Sequence, residues 1–191
     1  SFDLDYAFRG CWDYSDDNPF TTFEKFKDDA TAPRTSYNKD IVNLFLNLLK
    51  NDEYRRKFID TYCIVGGSVF EPTRTGKIVD ELVNNVKGMC QLMKNIAGQS
   101  WGSNLGKGHN VENSAKTIKN NINSSRSATM TNYLKQFSPM KLTSVSRQTV
   151  TLKSNNTDAH LFINGIEVPY ADFNGYLFQP IQLEAKAPAG Y

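Results

Sequence analysis

"TNYLKQFSPMKLTSVSRQTVTLKSNNTDAHLFING", residues 131–165, is where the chain changes its period. Up to Phe137 apolar residues recur at helical spacing, and beyond Pro139 they alternate. A stripe every 3.6 residues lets a helix bury one side, whereas alternation lets a strand bury one face of a sheet. The fold class follows: α+β, a mainly helical domain over residues 1–139 entered by a short strand at residues 1–9, then a small antiparallel β unit over residues 140–191. The segments "TVTLKS", "AHLFING", "IEVPY", "GYLFQP" and "IQLEAKA" read as short strands. Asn155-Asn156, Asn164-Gly165 and Asn174-Gly175 supply the turn signals between them, Asn-Gly being the strongest short hairpin signal. About 50 residues are too few for a robust independent core, so this unit is expected to be truncated or docked on the helices.

Upstream, Asn38 is placed to cap a helix carrying Ile41, Val42, Leu44, Phe45, Leu46, Leu48 and Leu49. Apolar residues nearly all round it predict burial between other elements. A second helix is predicted from about Asp52. Tyr54, Phe58, Ile59, Tyr62 and Cys63 form its packed face, "DEYRRK" its solvated one, and Gly66-Gly67 its end. Pro72 suits the first turn of a long helix to about Ala97, closed by Gly98. Its stripe of Ile78, Leu82, Val86, Met89, Met93 and Ile96 predicts core packing. One further helix is expected from about Glu112 to Phe137, poor in intrinsic propensity and held by packing.

Composition narrows the function classes. The chain is 39% hydrophobic and 22% charged, with net charge +2 and acids and bases interspersed. It has no basic stripe of the kind that binds nucleic acid, so a nucleic-acid partner is not expected. No apolar run approaches the ~18 residues of a membrane span. Both ends read as cleavage or truncation boundaries, so a missing targeting segment says nothing about location. Cys11, Cys63 and Cys90 show no metal-ligand spacing, and His109 and His160 are far from all three; zinc is not expected and the cysteines read as core. The Gly-rich stretch "GQSWGSNLGKGHN", residues 98–110, echoes a phosphate loop. It lacks the spacing, the Ser or Thr after Lys107 and the preceding strand that such a loop needs. A hydrolase reading finds no Ser-His-Asp arrangement and no G-x-S-x-G turn.

The chemistry-bearing residues lie at the opening, "SFDLDYAFRG". Strand residues two apart share a face, so Asp3 and Asp5 would converge while Phe2, Leu4 and Tyr6 turn to a core. Carboxylates on a rigid strand end are what a hard cation such as Mg²⁺ requires; solvated acids on an edge strand are the plainer alternative. A long loop follows, with turn chemistry at Asp16, Asp17, Asn18 and Pro19 and aromatics at Trp12, Tyr14, Phe20, Phe23 and Phe26.

"FDLDYAFRG", then "LFLNLLKNDEYRRKFIDTY", then "FEPTRTGKIVDELVNNV" resembles the C-terminal half of the CotH kinase family, atypical protein-kinase-like proteins first associated with bacterial spore coats. The likeness lies in an apolar strand ending in an acid-rich motif, a helix pair, and a long helix entered through an "F.P.R" turn. A later helix of the family carries an arginine, mapped here to Arg126. The tail is similar to β repeats of secreted bacterial proteins. The chain departs from the pattern at Arg9, which separates Phe8 from Gly10. The family's nucleotide-binding lobe, with its Gly-rich loop, Lys and catalytic Asp, would precede Ser1.

The resemblance implies a fragment inactive by itself, whose intact form uses ATP and Mg²⁺ to phosphorylate a protein acceptor outside the cytoplasm. Asp3 would hold the metal, with Asp5 as its partner; Asp13, Asp16 and Asp17 would be weaker candidates for an activation-segment role. The competing expectation is a non-catalytic binding or structural module of a surface protein. Its β unit would meet a glycan or protein partner; Trp101, Tyr170, Tyr176 and Phe178 would suit that role if exposed, and core packing explains them equally well.

Overall fold

A computed structural model describes Asn18, Phe20, residues 36–96 and residues 111–187. It is an α+β structure, mainly helical, with the strands of the described residues gathered at the C-terminal side of the sequence; the strand expected at residues 1–9 lies outside them. The described residues divide into two compact units: one contains residues 71–96 and 111–124, the other all remaining described residues.

In the larger unit, helix α1 spans Ser36–Leu48 and α2 spans Asp52–Ile64. The first begins two residues before the expected cap at Asn38. Asn51 caps α2, its side-chain oxygen accepting from the Tyr54 N–H at 2.9 Å. Asp52 and Glu53 in the first turn suit the positive end of the helix dipole. Burial of α1 is one-sided: Val42, and Leu49 just past its end, are buried, while Ile41, Leu44 and Leu48 face solvent.

Gly66 and Gly67 do not end α2. The backbone continues as a π-helical turn over Val65–Val69, and both glycines are buried in it. A Cβ on Gly67 would collide with the Phe173 ring, and one on Gly66 would stand 3.1 Å from Met130 Sδ. These positions need glycine for close approach, not for helix termination.

Helix α3 spans Pro72–Ile96, α4 spans Val111–Asn121 and α5 spans Arg126–Gln136. The single helix expected from Glu112 to Phe137 is thus two. The Asn/Ser-rich break around residues 122–125 has weak helix propensity, and the Asn123 side chain donates to the Asn120 carbonyl at 2.7 Å. In the smaller unit α3 packs on α4, with Lys119 Nζ 2.6 Å from Asp80 Oδ1. Pro72 sits in the first turn of α3 as expected, and the Glu71 carboxylate accepts from the Thr73 and Arg74 N–H groups at 3.0 and 2.7 Å. Of the expected core stripe of α3, the first four residues are exposed: Leu82 is 58% and Met89 66% accessible, and Ile78 and Val86 are also open, as is Leu92 beside them. Val79 is buried, since the eleven-residue α4 faces only one side of the twenty-five-residue α3.

The strands are β1 (Arg147–Lys153), β2 (His160–Ile163), β3 (Ile166–Glu167), β4 (Asp172–Phe178) and β5 (Leu183–Lys186). They form two antiparallel sheets, β1–β4 and β3–β2–β5. Asn164 and Gly165 both have positive φ, 51° and 76°, and close the β2–β3 hairpin as the Asn-Gly signal predicts. Asn174-Gly175 is no turn but the middle of β4, where Gly175 pairs with Val150. A Cβ there would meet Ser127 Oγ at 2.5 Å and Gly67 Cα at 3.0 Å, so the residue marks close packing inside a strand.

One hydrophobic core unites the elements of the larger unit. Phe173, Leu177 and Phe178 of β4 join Leu161 and Ile163 of β2, Ile59 and Cys63 of α2, Leu134 of α5, and Phe137 and Met140 just beyond it. The strands are docked on helices and share their core. Phe20 belongs to it as well, stacked on Phe137 at 4.9 Å and tilted against Tyr62 at 5.6 Å.

Candidate functional site

Asp3 and Asp5, the acids expected to hold metal, lie outside the described residues, as do Asp13, Asp16, Asp17 and Trp101. Among the described residues no group of three or more His, Cys, Asp or Glu side chains could hold a metal ion. Also among them, no helix is long and apolar enough to cross a membrane. Cys63 is buried, and burial pushes its thiol up to about 12, so it is inert as a nucleophile at neutral pH.

The aromatics proposed for a binding face separate. Phe178 is fully buried. Tyr176 is half-buried, with the Arg147 guanidinium 4.4 Å from its ring centre. Tyr170 alone of the described three is exposed. Strand alternation put Tyr176 and Phe178 on one side of β4, but not whether that side faced solvent.

The charge run on α2 turns out to be built into the fold. Arg55 donates to the Leu49 carbonyl at 2.8 Å and to Asp52 at 2.5 Å. Arg56 reaches further. Its Nε bonds Asp60 Oδ2 at 2.8 Å, and its terminal nitrogens donate to the carbonyls of Gln179 (2.7 Å), Phe178 (2.9 Å) and Pro180 (2.5 Å). A planar guanidinium offers five donors in a fixed fork, which is why one arginine can hold a carboxylate and three carbonyls together.

Asp60 is the counter-charge. It is only 2% exposed, and burial raises its carboxyl above the usual aspartate value, opposed by hydrogen bonding from Arg56 and Asn164 and by the charge of Arg56. Asn164 stands close enough to favour the charged form, yet Asp60 Oδ1 makes no hydrogen bond of good geometry. Asn164 is instead committed to the strand ends: its Oδ1 accepts from the Gln182 N–H at 2.7 Å and its N–H donates to the Gln182 carbonyl at 2.8 Å.

Around this node opens a cleft of about 460 Å³ lined by Glu53, Arg56, Lys57, Asp60, Asn164, Gly165, Ile166, Pro180 and Gln182. Its central charged pair is spent on joining α2 to the β4–β5 connection, a structural task. Sequence reading missed Asp60 and Arg56 because nothing in "DEYRRKFID" distinguishes a solvated charge from one facing a strand end.

Arg126, the arginine carried over by the resemblance, is the first residue of α5. Its Nε is buried and makes no hydrogen bond. It lies close enough to the half-buried Tyr62 to favour ionisation of the phenol, against the burial that pushes Tyr62 up to about 12.

No family model matches the chain, and neither the curated proteins nor the solved structures contain a match.

Proposed function

We propose that this chain is the C-terminal part of a CotH-like atypical protein kinase, acting outside the cytoplasm on a protein acceptor. Asp3 would hold Mg²⁺, with Asp5 as its partner, once a nucleotide-binding lobe completes the site. Such a metal would supply charge neutralisation to the phosphates of ATP, so the protein's work would be positioning and electrostatics. The observation that carries this reading is the acid-rich opening "FDLDYAFRG" followed by its helix pair and long helix in order. Consistent with it, α1, α2 and α3 are helical where the motifs run, and the "F.P.R" turn is a carboxylate-capped helix start.

The alternative, a binding or structural module, asks for a row of exposed aromatics on the β unit. Buried Phe178 and arginine-covered Tyr176 weaken that alternative. Mg²⁺-dependent nucleotide binding by a product extended upstream to include the expected lobe tests the kinase reading. Asp3→Ala is expected to abolish metal-dependent binding and Asp5→Ala to weaken it. Binding of equal strength with and without Mg²⁺, untouched by both changes, would favour the module.

A further inference from the structure

Helix α3 carries a second apolar line besides the side that α4 covers. Ile78, Leu82, Asn85, Met89 and Leu92 follow one another at alternating steps of four and three residues. That alternation keeps one narrow seam turned toward a neighbouring helix that runs alongside. At 100° per residue these five and Val86 fall within an arc of about 120°. All six are exposed. On the adjoining side, which α4 occupies, Val79 is buried and Val83 and Cys90 are half-buried, so the seam is a separate face.

Its area and its one polar residue decide what covers it. Exposure runs from 40% at Val86 to 66% at Met89, and the five apolar side chains together leave about 500 Å² open, a patch size that marks interaction sites. Two such patches face to face would bury about 1,000 Å², the least that a specific interface needs. Asn85 stands in the middle of the seam. Its amide has both donors and an acceptor, so it complements a second Asn85, whereas an apolar surface would leave it unsatisfied. A lone Asn in such a seam also fixes the register of two like helices. Asp80, Glu81 and Lys87 lie off the seam, and Asp80 is paired with Lys119, so two copies meet without burying a charge. Lys87 is the single cation between Ile78 and Leu92, too little basic flank for an anionic membrane surface.

We propose that α3 pairs with α3 of a second copy of this chain along the seam Ile78–Leu92, with Asn85 meeting Asn85. The pairing rests on the open seam and not on the kinase-like reading; it stands whether or not Asp3 and Asp5 hold metal.

Sedimentation velocity of the 191-residue chain over a concentration series tests it. An interface at the lower size limit is expected to give a reversible monomer–dimer equilibrium with a dissociation constant of roughly 1–100 μM. Leu82→Asp and Asn85→Asp should each weaken the dimer about tenfold or more, because each places two carboxylates in the seam. Both positions are exposed, so the far-ultraviolet circular dichroism of these variants should match that of the parent. Lys87→Ala, on the far side of the helix from the seam, should change the dissociation constant less than about twofold. A chain that stays monomeric throughout the series overturns the proposal, as does a dimer that both Asp variants leave intact. A monomer that instead floats with phosphatidylserine-containing phosphatidylcholine vesicles, and no longer does so as Leu82→Asp, overturns it in favour of a membrane surface.

Discussion

At the scale of single residues, Arg56 and the glycines carry the sharpest consequences. Arg56→Ala removes one bond to a buried carboxylate and three to carbonyls, leaving Asp60 without its counter-charge. Equilibrium urea unfolding is expected to register a loss of about 2–4 kcal/mol, discounted for the partial exposure of Arg56. The neighbouring Lys57→Ala should stay within about 0.5 kcal/mol, as exposed substitutions do. Gly67 and Gly88 make a matched pair. A methyl group at Gly67 strikes the Phe173 ring, whereas one at Gly88 meets nothing within 4 Å. Gly67→Ala is expected to destabilise by about 1–3 kcal/mol through overpacking. Gly88→Ala, in the interior of α3, should stabilise by about 0.5–1 kcal/mol through helix propensity. Sequence alone reads all these glycines alike, because the Cβ they lack matters only against neighbours far away in the chain.

At the scale of elements, two carboxylates give opposite pH dependences. Burial raises Asp60 above its ordinary value of 3.8. A raised folded-state value means its contribution is fully present below 3.8 and is lost as pH rises through that raised value. Asp60→Asn should flatten this part of the stability profile, read from urea midpoints across the acid range. Glu71 is partly desolvated, which alone would raise it, but the Thr73 and Arg74 N–H groups prevail and hold it below 4.5. Its cap therefore stabilises α3 above 4.5 and fails as pH falls through the lowered value. Glu71→Gln should cost about 0.5–2 kcal/mol at neutral pH and progressively less as pH falls through the lowered value, where the wild-type carboxyl itself takes up a proton. Local chemistry made several elements legible: Pro72 in the first turn of α3, and Asn164-Gly165 at the β2–β3 turn. The same chemistry misled at Gly66-Gly67 and Asn174-Gly175, where tertiary packing claims residues that usually punctuate.

At the scale of the molecule, the change of period after Pro139 divided helices from strands correctly, and the strands dock on the helices that precede them. Periodicity could not tell which apolar stripes would be covered. The stripe on α3 is as regular as a core stripe, and it is open because α4 covers one side alone. The candidate site was legible at Asp3 and Asp5 only as a pattern, and the resemblance pointed to Arg126 without showing that its Nε is buried. The kinase-like account is tested most directly by Mg²⁺-dependent phosphate transfer from labelled ATP, using a product extended upstream, beside its Asp3→Ala and Asp5→Ala forms. The account predicts transfer that collapses when the metal-holding acid is lost. Transfer that is absent, or present and indifferent to both acids, would contradict it.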